Sequence, residues 1–136
     1  MTPAEEVARA RFVLLATFRA SGEAVSTPVW IVRDDDRLAI LTDLDSGKVR
    51  RLARDSTVTL VPCTPGGEPT VATPPVRGRA LVVTDPDVVR HVWSLVRRKY
   101  VVEHAVIRVL GRFRPSWRRW TGPQAVLRLE LDDVDA

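Results

Sequence analysis

The chain has little of what covalent and metal chemistry need. Cys63 is its single cysteine, and it has two histidines among 136 residues. One cysteine excludes an intramolecular disulfide and a cysteine-built metal site. At the end of a strand-like segment, Cys63 reads as a small buried apolar residue rather than a nucleophile. His91 falls on a helical segment and His104 just beyond it, and no acid–base constellation accompanies either one. Both read as surface or packing histidines. No stretch approaches the roughly 20 apolar residues that span a bilayer. The amino-terminal "MTPAEEVARARF" is charged and is followed by only a short apolar run, unlike a signal peptide. The expectation is therefore a soluble, cytoplasmic protein with no membrane partner. The loop "TPGGEPT" lacks the Lys-Ser/Thr ending of a phosphate loop, and "DDVDA" is most simply a solvated acidic tail rather than a metal site.

Positive charge is what the chain does have. Twenty-one Lys and Arg against 17 Asp and Glu give a net charge of +4, with a pI near 10.2. That balance admits nucleic acid, an anionic membrane surface or a phosphorylated small molecule, and equally an ordinary arginine-rich surface. No internal repeat, low-complexity segment or dividing linker is evident. A chain of this length buries about 68% of its unfolded surface, so residues 1–136 are expected to form a single domain.

Segments rich in β-branched and aromatic residues dominate. "FVLLATFRA" and "EAVSTPVWIV" flank "SGE" as two strands joined by a tight turn. "DRLAILTD" follows the acidic turn "RDDD" and predicts a third strand of an antiparallel meander. "STVTLVPC", "VRGRALVVT" and "PQAVLRLEL" read as strands four to six, the fourth interrupted by Pro62. Between the last two, "TDPDVVRHVWSLVRRKY" carries Asp85 as N-cap and Pro86 at the first helical position. Val88, Val89, Val92, Trp93 and Val96 line one face of that helix, and Arg97, Arg98 and Lys99 complement the dipole at its end. Six strands with few helices predict a mainly β, α+β protein whose sheet closes into a small antiparallel barrel.

The stretch "LTDLDSGKVRRLARD" passes from a strand end through a turn into a short basic helix. Val49, Leu52 and Ala53 fall on one face, Lys48 and Arg51 on one flank, and Arg50 and Arg54 on the other. Asp45 or Ser46 can cap, and Gly47 leaves room for a ligand to approach the first free amides. Free amides, the positive end of the dipole and a nearby ammonium make an anion site. The plain alternative is a solvated surface helix with Arg51 and Asp55 paired. In "AVSTPVW", Pro28 removes a ladder hydrogen bond and so implies an edge, a bulge or a place where a flat ligand takes the neighbouring backbone groups. An ordinary edge strand with Trp30 in the core is the competing reading.

Taken in order, "TFRASGEAVSTPVWIV", "RLAILTDLDSGKVRRLARDSTVTLVPC" and "VRGRALVV" resemble the pyridoxamine 5'-phosphate oxidase-like split barrels, over roughly residues 12 to 131. Within that class the chain is most similar to the coenzyme F-420-dependent oxidoreductases, and Ser46-Gly47-Lys48 with Arg50, Arg51 and Leu52 is the most specific part. The resemblance implies a homodimer with flavin-type sites at the subunit interface. By position, Lys48 matches the family's phosphate-binding lysine, and Ser46 and Thr42 match hydroxyls near the cofactor's phosphate and side chain. Thr27, Pro28, Val29 and Trp30 match the strand beside the tricyclic ring. Arg51 is the preferred second phosphate ligand, ahead of Arg50, with Arg77 on the fifth strand as a further partner. Gly47 stands where the flavin mononucleotide (FMN) oxidases of the superfamily usually carry arginine. Their carboxy-terminal substrate motif has no counterpart in "VLRLELDDVDA", which disfavours vitamin B6 oxidation. "RVLGRFRPSWRRWTG" does not map onto the family and reads as a surface cap over the barrel end.

What the resemblance implies is a redox enzyme using reduced F-420 to transfer a hydride to an electron-poor small molecule, the organic chemistry being the cofactor's. The alternatives are an FMN-dependent reductase or oxidase of the same fold and a non-catalytic F-420 carrier. Nucleic-acid binding is disfavoured, because the strands lack aromatics interleaved with lysines.

Overall fold

In a computed structural model, which describes residues 2–100 and 123–132, ten elements follow one another in the order α1 (Pro3–Arg9), β1 (Val13–Phe18), β2 (Ala24–Val29), β3 (Val32–Asp34), β4 (Arg37–Asp43), α2 (Gly47–Arg54), β5 (Thr57–Pro62), β6 (Val76–Val83), α3 (Pro86–Lys99) and β7 (Gln124–Leu131). All strand pairings are antiparallel, and the sheet order is β2-β1-β5-β6-β7-β4-β3. Among the described residues no helix is long and apolar enough to cross a membrane.

The expected α+β split barrel is present, with seven strands among the described residues rather than six. "EAVSTPVWIV" does not run as one strand. It forms β2, breaks at Trp30 and Ile31, and resumes as β3. The two strands so produced lie at opposite edges of the sheet, so only two residues link edge to edge and the sheet must curl until its edges meet. The meander expectation fails for the same reason: β4 pairs with β3 and β7, not with β2. Ile31 is fully buried at this corner.

Two apolar layers follow from the alternation of strand side chains. Val13 and Leu15 of β1, Leu38 and Ile40 of β4, Val58 and Leu60 of β5, and Leu127 and Leu129 of β7 fill the barrel, closed by Val7 of α1 and Leu52 of α2. The alternate residues Val32, Ala39 and Val126 face outward and are covered by Val92 and Val96 of α3 and by Tyr100. α3 begins where its cap predicts, with the Asp85 carboxylate accepting from the Asp87 amide at 2.9 Å.

Candidate functional site

β4 carries the chain to one end of the barrel, where the Leu44 amide donates to the Pro123 carbonyl at 2.9 Å. Ser46 is the N-cap of α2. Its Oγ accepts from the Val49 amide at 3.4 Å and from Thr42 Oγ1 at 3.5 Å. Asp45, the other candidate, is exposed, and its carbonyl takes the Arg50 guanidinium at 3.2 Å. Gly47 and Lys48 open the helix, with amides ahead of the first helical hydrogen bonds, and no acidic residue occupies the first turn.

Lys48 is half-buried, and that burial together with the Arg51 guanidinium holds its pKa below the ordinary lysine value, with Asp43 partly opposing. Arg51 does not pair with Asp55. Its Nε donates to Thr17 Oγ1 on β1 at 2.6 Å, while Asp55 accepts from the Thr57 amide at 3.0 Å. Burial, Arg19 and Arg50 hold the Arg51 pKa below the usual arginine range. Arg54 donates to the Phe18 carbonyl at 2.9 Å. Arg51 and Arg54, expected on opposite flanks, thus both bind the end of β1, three residues apart, and the helix is rolled so that Leu52 enters the core while Ala53 is exposed. The expected apolar face of Val49, Leu52 and Ala53 is narrower by that last residue.

The result is a cluster of Lys48, Arg50, Arg51 and Arg19 around the positive end of a helix. Gathering like charges is unfavourable without a counter-anion. Thr17, fully buried, is the residue at this cluster that sequence reading missed. Its signal was a polar side chain in phase with the core-facing Val13 and Leu15.

β2 alternates as an edge strand. Val25, Thr27 and Val29 are half-buried while Ser26 and Pro28 are exposed. Pro28 therefore sits where its missing amide costs no central ladder bond. Gly67 of the Pro- and Gly-rich loop lies over its outer side, so that a Cβ there would stand 3.8 Å from Pro28 Cδ and 3.6 Å from Leu14 Cδ1. Thr27 Oγ1 is buried and has no hydrogen-bond partner among the described residues. Thr27 is opposite Leu15 and Val25 is opposite Thr17, so the orphaned hydroxyl shares the inner face of the β1–β2 ribbon with the Thr17 that holds Arg51.

Of the residues expected at the site, Thr42, Ser46, Gly47, Lys48, Arg50 and Arg51 gather at the α2 turn, and Thr27 and Val29 lie on the inner side of β2. Trp30 leaves that face: its ring stacks on Tyr100 with centroids 4.6 Å apart and planes 11° from parallel, in the layer under α3. Arg77 is exposed on β6 opposite Thr59, and among the described residues no hydrogen bond or ion pair joins it to the α2 turn. A separate hollow of about 960 Å³ lies between α1, the β3–β4 turn, the middle of β6 and the end of β7, bordered by Arg33, Arg37, Arg79 and Arg128 and by Glu5, Asp36 and Glu130, and no residue of the α2 turn lines it. His91 pairs with Asp34 at 3.1 Å across α3 and β3, and Cys63 is buried. His104 and the segment "RVLGRFRPSWRRWTG" lie outside the described residues.

A model of the family described as pyridoxamine 5'-phosphate oxidase matches residues 3–136. The chain belongs to that family. Members of the pyridoxamine 5'-phosphate oxidase family bind flavin-type cofactors, and the cation cluster with the orphaned Thr27 hydroxyl beside it suits an anionic, hydrogen-bonding ligand. A conserved hypothetical protein from Mycobacterium tuberculosis superposes with a TM-score of 0.67 at 19% identity, over 98% of this chain and 82% of that one. An F-420 reductase gives 0.60 at 16% identity, over 98% and 95%. A heme storage protein from Vibrio cholerae gives 0.61 at 15% identity, over 92% and 84%. At such identities these likenesses show the fold alone. No curated protein matches the chain.

Proposed function

We propose that the protein is an F-420-dependent oxidoreductase that acts on an electron-poor small molecule as a homodimer, with the cofactor phosphate held at the start of α2. The observation that carries this reading is the cluster of Lys48, Arg51, Arg50 and Arg19, for which Asp43 is the one carboxylate that raises the Lys48 pKa. Lys48 and Arg51 would hold the phosphate, with the Gly47 and Lys48 amides completing its shell. Ser46 and Thr42 would orient its ester side. Thr27 would offer its unpartnered hydroxyl to the ring edge, with Pro28 and Val29 shaping the strand beside it. The bound deazaflavin would supply hydride transfer, which needs no protein nucleophile. The chain's part is to bind, orient and exclude water. The fold shared with an F-420 reductase is consistent with this reading, and the absence of arginine at position 47 favours F-420 over FMN.

FMN is the second reading, favoured by membership of a family described by a flavin-type oxidase. A non-catalytic F-420 carrier would use the same site. Titration of the cofactor-free protein with F-420 and with FMN, followed by cofactor fluorescence, separates the first two, because the tighter ligand names the branch. Lys48→Ala is expected to weaken the preferred cofactor about ten-fold or more, as the loss of a charge-assisted hydrogen bond does. An unchanged affinity would remove Lys48 from the site, and binding of neither cofactor would return α2 to an ordinary basic surface helix. Turnover with a reducible substrate distinguishes enzyme from carrier, and sedimentation tests the dimer.

A further inference from the structure

We infer that Thr17 and Gly47 are positioning residues that set the Arg51 guanidinium beside Lys48 as the second cation for a ligand phosphate; this rests on the phosphate reading above. Residues 47 and 51 are one turn apart on the same helix face, and side chains of an α-helix lean toward its amino terminus. Arg51 therefore sweeps back over position 47. A Cβ on residue 47 would stand 2.7 Å from Arg51 Nη1 and 3.5 Å from its Cζ, so a side chain at 47 would push the end of the guanidinium out of this place, a shift the flexible arginine makes at little cost in stability. Thr17 fixes the other side. Its hydroxyl, on a fully buried residue of β1, accepts from Arg51 Nε at 2.6 Å and leaves both Nη groups available.

A merely structural anchor would have no reason to hold Arg51 there. The place is electrostatically poor, since Arg19 and Arg50 disfavour the charge on Arg51, as Arg51 disfavours that on Lys48, and a long side chain loses rotamer freedom in being held. Residues that fix a cation where it is repelled are expected at a site whose occupant is an anion. Arg51 thereby places a guanidinium at the helix start from one turn further along the chain, and position 47 is kept empty for it.

The test compares ligands that differ only in the phosphate: FMN against riboflavin, and F-420 against its phosphate-free deazaflavin riboside. The affinity ratio within each pair isolates the phosphate's share. Gly47→Ala and Thr17→Val are each expected to lower the ratio of the bound pair about ten-fold, the effect of losing one charge-assisted contact. Affinity for the phosphate-free ligand should stay constant. Thr17→Ser, which keeps the hydroxyl, should retain the wild-type ratio. Arg51→Gln should lower the ratio while leaving affinity for the phosphate-free ligand constant, whereas loss of a merely structural anchor would weaken both ligands of the pair alike. If Lys48→Ala reduces the ratio while Gly47→Ala and Thr17→Val leave it intact, the inference fails and the phosphate site stands. If the wild-type ratio is near one for both pairs, the site and the inference fail together. Should Thr17→Val misfold by circular dichroism, Gly47→Ala on the helix surface decides the matter alone.

Discussion

Lys99 carries its ammonium among main-chain oxygens, donating to the carbonyls of Ala8 at 3.3 Å, Ala10 at 3.0 Å and Ile31 at 2.7 Å. It thus ties the end of α3 to the end of α1 and to the corner between β2 and β3. Burial, with Arg11 and Arg33 nearby, pushes its pKa down to about 8. A lysine in the unfolded chain titrates near 10.4, so between those two values the unfolded state holds the extra proton and folding stability rises with pH. Denaturant titrations from pH 7.5 to 10.5 should show wild type gaining stability relative to Lys99→Met across that window. At pH 7 the variant should be less stable by about 1–3 kcal/mol, because the carbonyls of Ala8 and Ala10 lose their donor. Parallel pH profiles for the two proteins would contradict this account. In the sequence, Lys99 was legible only as a cation at a helix end. Its acceptors Ala8 and Ile31 stand 91 and 68 positions away, and no local pattern announces such a contact. Thr17 and Arg51, 34 positions apart, were hidden in the same way, whereas Ser46, Gly47 and Lys48 were legible because capping is local.

Among the elements, α2 and α3 could be placed from their caps. α1 carries the same marks: Thr2 accepts from the Glu5 amide, Pro3 follows at once, and Glu5 and Glu6 lie in the first turn. It went unread because a short charged amino-terminal segment offers little apolar periodicity. Strand boundaries were legible where turn residues punctuate them, as at Gly22 and at Asp35, each with positive φ. The break inside "EAVSTPVWIV" was not, since Trp30 and Ile31 favour strands as strongly as their neighbours do. Gly78 supplies the element-level prediction. β6 and β7 approach so closely there that a Cβ would stand 2.6 Å from the Glu130 carbonyl oxygen and 3.1 Å from the Leu131 Cα. Main-chain atoms within a ladder cannot swing away, so Gly78→Ala should destabilise by about 1–3 kcal/mol, as overpacking does. A denaturation midpoint within error of wild type would mean that the two strands separate freely at this point.

For the molecule as a whole, the decisive feature is that one continuous segment supplies both edges of the sheet. β2 and β3 are not paired with each other, so closure at Trp30 and Ile31 depends on side chains. Tyr100 supplies them. Its hydroxyl accepts from the Ile31 amide at 3.0 Å and donates to the Ile31 carbonyl at 2.9 Å, while its ring stacks on Trp30. Tyr100→Phe keeps the ring and removes both hydrogen bonds, leaving the amide of a fully buried residue without its acceptor, at a cost of about 1–3 kcal/mol. The loss should be local, because β5, β6 and β7 retain their full ladders while β2 and β3 each have a single paired neighbour. Native-state hydrogen exchange should therefore show faster exchange in residues 24–34 of the variant, with protection in β5 to β7 preserved up to the global limit. Because Thr27 and Val29 lie on the strand that would loosen, cofactor affinity should fall as well, although Tyr100 is in the layer beneath α3 and away from the α2 turn. Uniform acceleration across all seven strands would show instead that the corner and the ladders open as one unit, and that closure is a property of the whole sheet rather than of the clasp at Ile31.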